Sequence, residues 1–375
     1  MVEKLLANAR PEKRLFLSLI TRDISLADAF LDIIDNSINA ALEPLADRLK
    51  TADDYQRLLA NSRIKPKVKI EITVGTASIV VSDNASGISA SMAQEHVFKF
   101  GRASAYVHKS DRLSVYGIGL KRAMFKCGNK IDMVSDHKEG GFELKLDARE
   151  WAKDAGDHWT FPITTRSPEK SKTGTRLAIS ELHDDVLRRL GDGLFLSQLR
   201  DRISRTYSVF IGRVVDIVLN KHAVEKESFD LAENYASEKF KWNGVSCNVT
   251  AGLAASTGTL FRDRNAGWFV FCNGRTVLYA DKSPLTGWGG AGLLPIFQPK
   301  HRPFLGTVFF VSADPESLPW TTTKASVNEE SAVWQEAKRH MVKVGRGVIA
   351  FLDKRYTETG TDITPADLRT QQRAE

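Results

Sequence analysis

The 375-residue sequence predicts an α+β protein of about two domains. Three observations carry that expectation. Apolar residues recur at helical spacing over residues 15–42, short alternating strand-like segments follow at 68–81, 130–146 and 175–179, and a second strand-rich stretch at 247–279 precedes a long amphipathic segment at 331–356.

Within 15–42, Leu26, Phe30, Ile33, Ile34, Ile38 and Ala41 form the apolar stripe, and Ser25 is the N-cap candidate. Residues 43–67 read as a polar insertion. Residues 68–74 and 78–81 read as two strands turning at Gly75. Residues 82–91 form a loop and 90–100 a short helix, followed by a polar, basic and aperiodic stretch from Gly101 to Tyr116. A glycine pair then opens a helix over 117–125. Residues 182–199 read as a boundary, with a helix and a strand between 194 and 219 and another strand at 308–311. The polar tail from Thr357 is expected to fray. The division expected is 1–190, 191–330, and a C-terminal helix and tail over 331–375.

Hydrophobic residues make up 42% and charged residues 26%, which excludes a disordered, collagenous or disulfide-stapled chain. The net charge of +7 permits contact with phosphate or nucleic acid and proves neither. The three cysteines, Cys127, Cys247 and Cys272, are far apart and odd in number, so free thiols are expected rather than a zinc site or disulfides. With no signal-peptide run and no stretch approaching ~20 apolar residues, a cytoplasmic protein without membrane contact is expected.

Four segments carry chemistry. In DAFLDIIDNSINA, Asp28, Asp32, Asn36 and Asn39 stand three or four apart and share a helix face. A carboxylate and a carboxamide one turn apart suit a magnesium nucleotide, because a neutral amide oxygen can bind a hard cation and an Asp can orient or deprotonate water. In VVSDNASGIS, Asp83 ends a strand where a carboxylate can accept from an adenine amino group, and Gly87 lets the base approach the backbone. In SVYGIGLKRAMF, backbone N–H groups at a helix start form an anion site, to which Lys121 and Arg122 add positive charge. In KTGTRLAISEL, Thr173 and Thr175 flank Gly174 ahead of a strand, where a hydroxyl can support the base or a water bound to it. Taken singly, each has a plainer explanation: a solvated helix face, an Asx turn, a glycine-opened helix, an ordinary turn into a strand.

Together and in this order, over residues 15–182, the segments resemble the Bergerat-fold (GHKL) ATPases, the family of DNA gyrase B, the heat-shock ninety chaperones, histidine kinases, MutL and MORC. The resemblance implies helices layered on a mixed β-sheet, with ATP and Mg2+ bound between them. It makes Asp32 the general base, where the family more often has Glu, so that a shorter arm implies slower hydrolysis. It makes Asn36 the magnesium ligand, Asp83 the adenine-reading carboxylate, Gly87 the second loop glycine (Ala85 replacing the first), and Thr175 the adenine-side threonine. Gly101 to Tyr116 becomes the ATP lid, with Lys99, Arg102, Lys109 and Arg112 available to phosphates. Gly117, Ile118, Gly119, Leu120 and Lys121 become the phosphate-binding turn. Asn39, Ile88, Gly101, Arg102, Ala103 and Ser104 complete the nucleotide's surroundings.

In the second half, WFVFCNGRTVLY resembles the F-V-N-G-R strand of the transducer domain in MutL and gyrase B, which implies a transducer-like (ribosomal S5-like) α/β domain. Lys324 follows the next strand, where such domains place a lysine that reaches the γ-phosphate; a solvated loop lysine is the plainer alternative. Trp320 reads as a packing anchor, and His96, His108 and His301 as surface or core histidines without partners for catalysis.

The reading that results is a slow, Mg-dependent ATPase acting as a nucleotide-driven switch or dimer clamp of the MORC and MutL type. It is expected to form a homodimer on ATP binding and to act through a protein partner carrying the effector activity, in a multi-protein, defence-type setting. DNA contact through Arg200, Arg202 and Arg205 is a further expectation. The alternatives are a nucleotide-regulated scaffold with little hydrolysis, a chaperone like the heat-shock ninety proteins, and a histidine-kinase module, which would need neither the N-G-R strand nor Lys324.

Overall fold

The computed structural model describes residues 11–60, 67–101, 112–114, 117–154, 159–169, 171–227, 231–255, 261–290 and 292–367. Its architecture is two β-sheets, each covered by helices. The helices are α1 (Lys13–Arg22), α2 (Leu26–Leu42), α3 (Ala52–Ala60), α4 (Ala90–Met92), α5 (Gly119–Cys127), α6 (Ala148–Lys153), α7 (Asp184–Leu190), α8 (Phe195–Thr206) and α9 (Ala332–Thr359). The first sheet contains β1 (Val68–Val74), β2 (Ser78–Asp83), β3 (Gly128–Asp136), β4 (Gly141–Asp147), β5 (Ile163–Arg166), β6 (Gly174–Leu182), β7 (Val215–Leu219) and β8 (His222–Ala223), in the order β5-β4-β3-β6-β2-β1-β7-β8. The second contains β9 (Leu231–Trp242), β10 (Val245–Ala254), β11 (Gly267–Cys272), β12 (Arg275–Asp281) and β13 (Phe304–Val311), in the order β12-β11-β13-β10-β9. One pair in each sheet is parallel, β1 with β7 and β11 with β13. The fold is therefore α+β with mixed sheets, as the sequence predicts.

The first sheet continues past residue 190, because β7 adds to the free edge of β1, pairing Val68 with Val215 through Ile72 with Leu219. Ile217 and Leu219 thereby enter the core beside Ile70 and Ile72. A linear reading cannot see which sheet a short apolar strand will join, since both sheets would bury it equally well.

Helix α2 is the spine of the first layer. Ser25 caps it by accepting from the Asp28 N–H at 3.1 Å, and Phe30, Ile33, Ile34 and Ile38 are buried. Its polar residues are buried as well: Asp32, Asp35 and Asn39 have relative exposures of 3%, 1% and 6%. A solvated polar face is therefore excluded for this helix, and each buried group needs a partner. The helix expected over 90–100 is α4 followed by a π-type turn, Ala93–Val97. Beyond it Phe100 stands edge-on to Phe16 and Trp159, with ring centroids 4.8 and 5.8 Å away, which pins the chain just before Gly101.

All three cysteines are buried and free. His301 is a satisfied core histidine, its Nε2 3.0 Å from Asp353 Oδ1 and its Nδ1 accepting from the Gln298 N–H. Trp320 is buried and donates to the Pro315 carbonyl. Among the described residues no helix is long and apolar enough to cross a membrane.

Candidate nucleotide site

Asp83 ends β2 in register with Thr175 of β6. Its Oδ2 accepts from Ser37 Oγ at 2.7 Å and its Oδ1 from the Ala85 N–H at 3.0 Å. Burial pushes the carboxyl up, against the opposing hydrogen bonds of Ser37, Ala85 and the Thr175 backbone. A carboxylate in that condition is short of donors and gains from one more. Ser135 faces Thr175 from β3, with Oγ 2.9 Å from Thr175 Oγ1 and accepting from the Ile88 N–H at 2.7 Å. Thr173 Oγ1 donates to the Ala85 carbonyl at 2.7 Å, tying the loop after β2 to the start of β6.

Two glycines make this close packing possible. Gly87 has φ +72°, and a Cβ there would lie 2.0 Å from the Asp136 carbonyl oxygen. Gly174 has φ +149°, and a Cβ there would lie 2.2 Å from the Asp83 carbonyl oxygen. No side chain fits at either approach.

One residue before Ser37, Asn36 is half-buried, and its Nδ2 donates to the Asp32 carbonyl at 2.6 Å. That bond fixes the amide so that Oδ1 is the atom left to bind a ligand, and no described residue donates to it. The described residues hold no group of three His, Cys, Asp or Glu side chains suited to a metal. A lone neutral oxygen fits Mg2+ that keeps most of its shell as water and phosphate oxygens, and does not fit a metal held by protein alone.

Asp32 is placed otherwise than a free general base would be. Its Oδ2 accepts from Arg122 Nε at 2.5 Å, and its Oδ1 is 3.7 Å from Lys324 Nζ. Gly119, at the start of α5, abuts it: a Cβ at 119 would lie 3.3 Å from Asp32 Cγ and Oδ1. The glycine turn and the carboxylate are thus brought together, while both carboxylate oxygens face cations.

The cations expected at the phosphates also have other partners. Lys121 is 2% exposed and donates to the carbonyls of Val97, at 2.7 Å, and Gly117. Desolvation lowers its pKa to about 7. It thereby ties Val97 to Gly117 instead of pointing out from α5. Arg122 is spent on Asp32, and buried Arg112 donates to the Ala46 carbonyl at 2.9 Å. Lys99 is exposed. Arg102, Ala103, Ser104, His108 and Lys109 lie outside the described residues; Gly101, Gly117, Ile118 and Leu120 lie within them, Gly101 and Gly117 with φ of +99° and +63°.

Asn39 is a clamp on Leu113 and Ser114. Its Oδ1 accepts from the Leu113 N–H at 2.9 Å and its Nδ2 donates to Ser114 Oγ at 3.0 Å, so each end of the amide already has a partner in the chain. The N-G-R segment reaches the same place, since Asn273 Nδ2 donates to the Arg112 carbonyl at 2.9 Å.

Lys324 is not a solvated loop lysine. It is 6% exposed, and its Nζ donates to Asp35 Oδ2 at 2.5 Å and to the Leu113 carbonyl at 2.8 Å. Asp35 also accepts at Oδ1 from Tyr207 Oη at 2.7 Å and from Arg275 Nε at 3.1 Å. Burial alone would raise the Asp35 carboxyl; Arg275, Lys324 and Tyr207 more than offset it and hold it below the usual carboxylate range. Asp35, Ser37, Ser135 and Tyr207 were not legible as site residues. Arg275 was visible only as a letter of the N-G-R strand, and nothing in the spacing links it to residue 35.

Residues 24–178 match the family model described as histidine kinase-, DNA gyrase B-, and HSP90-like ATPase. No curated protein matches the chain.

Proposed function

Since residues 24–178 form an ATPase domain of the histidine kinase, DNA gyrase B and HSP90-like superfamily, we propose that this chain binds Mg-ATP along α2 and uses slow hydrolysis to time a conformational switch. One observation carries the reading. Helix α2 presents Asn36 and Ser37 side by side, with Ser37 on the Asp83 carboxylate and the preceding turn, at Asp32, against Gly119. A base-reading end and a phosphate end therefore lie along one helix, next to each other in the order a nucleotide needs.

In this reading the adenine amino group donates to Asp83, with Ser135 and Thr175 supporting that wall. The N–H groups opening α5 take phosphate oxygens. Asn36 would hold Mg2+, which when bound supplies charge neutralisation between phosphate oxygens. In hydrolysis, a water oxygen bonds to the γ-phosphorus as the bridging P–O bond to ADP breaks, and the water's proton passes to Asp32. Lys324 stabilises the charge on the transferred group.

The switch itself is read from the chain leaving the lid. Arg112 and Leu113 are held by Asn273 and Lys324 of the second layer, so a lid ordered by nucleotide would pull on both layers. A nucleotide-dependent homodimer, a partner protein carrying the effector activity, and a MORC- or MutL-like role in a defence-type system belong to the same proposal. DNA contact through Arg202 and Arg205 would require Arg202 to leave Asp28, with which it is paired, and Arg205 to leave the Tyr279 ring, over which it lies at 4.9 Å.

A second reading, a nucleotide-regulated scaffold that hardly hydrolyses ATP, is favoured by Asp32 having both oxygens on cations. Calorimetry with Mg-ATP tests binding: Asp83→Asn loses one hydrogen bond to a charged acceptor, about 1.5–3 kcal/mol, or roughly 10- to 150-fold in Kd. Equal Kd values for Asp83→Asn and wild type would remove the adenine assignment. Turnover of wild type against Asp32→Ala separates the two readings: equal, background-level rates support the scaffold. Solution mass with and without a non-hydrolysable ATP analogue tests the dimer.

A further inference from the structure

Asp35 grips Lys324 at two points. Directly, its Oδ2 accepts from the Lys324 ammonium at 2.5 Å. Indirectly, its Oδ1 accepts from Arg275 Nε at 3.1 Å, and the same guanidinium donates through Nη1 to the Lys324 carbonyl at 2.6 Å. The second hold matters because Lys324 has φ +55°, a left-handed conformation that a lysine adopts only where its surroundings enforce it. Arg275 and the Thr321 carbonyl, which accepts from the Lys324 N–H at 2.8 Å, enforce it here. The ammonium also lies 3.7 Å from Asp32 Oδ1, so the lysine stands between two carboxylates one helical turn apart, nearer to Asp35.

Asp32, Asp35, Arg275 and Lys324 are all buried. A buried ammonium does not leave one counterion without gaining another, so Lys324 can approach a bound triphosphate only by exchanging partners. We propose that Asp35 is a positioning residue for Lys324: it holds the ammonium back in the nucleotide-free protein and yields it to the terminal phosphate of ATP. The affinity for ATP then includes the cost of leaving Asp35, whereas ADP, without that phosphate, does not draw the lysine away. This rests on the reading of Lys324 as the lysine for the terminal phosphate.

The test is the ratio of affinities for a non-hydrolysable ATP analogue and for ADP, both with Mg2+, measured by calorimetry on the full chain. Asp35→Asn removes the competing charge and is expected to raise the analogue-over-ADP preference about tenfold, the scale of one hydrogen bond to a charged group. Tyr207→Phe removes a donor from Asp35 and concentrates the carboxylate charge on Lys324, so it is expected to lower the preference several-fold. Lys324→Ala should abolish the preference and make Asp35→Asn without effect in the same chain. Opposite movements of the two Asp35-directed variants support the proposal, because damage to packing alone would move both the same way. Movement in one direction, or an unchanged ratio in both, overturns it. If Asp35→Asn does not fold, Tyr207→Phe decides alone, an unchanged ratio overturning the proposal. A preference that survives Lys324→Ala overturns the assignment of Lys324 itself, and the proposal with it.

Discussion

Lys121 offers a test of the buried chemistry between Val97 and Gly117 that needs no nucleotide. Replacing it with Met removes a titratable group that is 2% exposed and unpaired with any carboxylate among the described residues. Desolvation lowers its pKa to about 7 in the folded chain, from the ordinary lysine value of 10.5. Below pH 7 the folded protein must bury an ammonium, which opposes folding. From about pH 7 to 10.5 the unfolded chain binds a proton that the folded chain does not, so stability rises with pH by up to roughly 1.4 kcal/mol per unit. A neutral amine keeps two N–H donors, enough for the Val97 and Gly117 carbonyls, so both bonds survive the loss of the proton. Met leaves those carbonyls unpaired at every pH, a constant offset. The measurement is urea unfolding of wild type and Lys121→Met at pH 5, 6, 7, 8 and 9. Between pH 7 and 9 wild type should gain about 2 kcal/mol on the variant, with little change between pH 5 and 6. Parallel curves from pH 7 to 9 would refute the placement of an uncompensated amine between Val97 and Gly117.

Three further outcomes follow from the same geometry. Gly87→Ala places a Cβ 2.0 Å from the Asp136 carbonyl oxygen at φ +72°, so thermal unfolding should show a loss of about 3 kcal/mol or more; a variant melting with wild type would contradict the close approach. Arg122→Met strands the Asp32 carboxylate, at a cost of about 3–5 kcal/mol softened by Lys324 at 3.7 Å, and adding Asp32→Asn should restore most of it. Strictly additive losses in that double variant would show the two residues are not partners. Asn39→Ala releases the Leu113 N–H and Ser114 Oγ, and hydrogen exchange at Leu113 should accelerate while α2 stays protected; unchanged exchange would show that the clamp does not hold the chain there.

Glycines and threonines were informative in the sequence because their constraints are local. Gly87, Gly174 and Thr175 sit where the spacing puts them, and register then sets Asp83 opposite Thr175. Charged residues were informative only as to type. Asp32 and Asp35 are three apart on one helix, and nothing in that spacing tells which of them takes Arg122 and which takes Arg275 and Lys324. Those partners lie 90, 240 and 289 residues away along the chain. The positive charge read into Lys121 was real, but burial turned it toward two carbonyls of its own neighbourhood.

The sequence by itself determined the apolar stripe of α2, its cap at Ser25 and the glycine approaches, since each depends on dihedral limits or side-chain period within a few residues, whereas α3 within the stretch read as a polar insertion, with Tyr55 and Leu58 buried, and β9 were not legible there. Tertiary structure alone decided that β7 joins the first sheet, that Asn39 and Asn273 hold residues 112–114, and that Asp35 holds Lys324. Those outcomes depend on which charges and edges meet after burial, where an unpaired ion costs too much to persist and every buried group is matched to whatever partner the packed layers bring within reach.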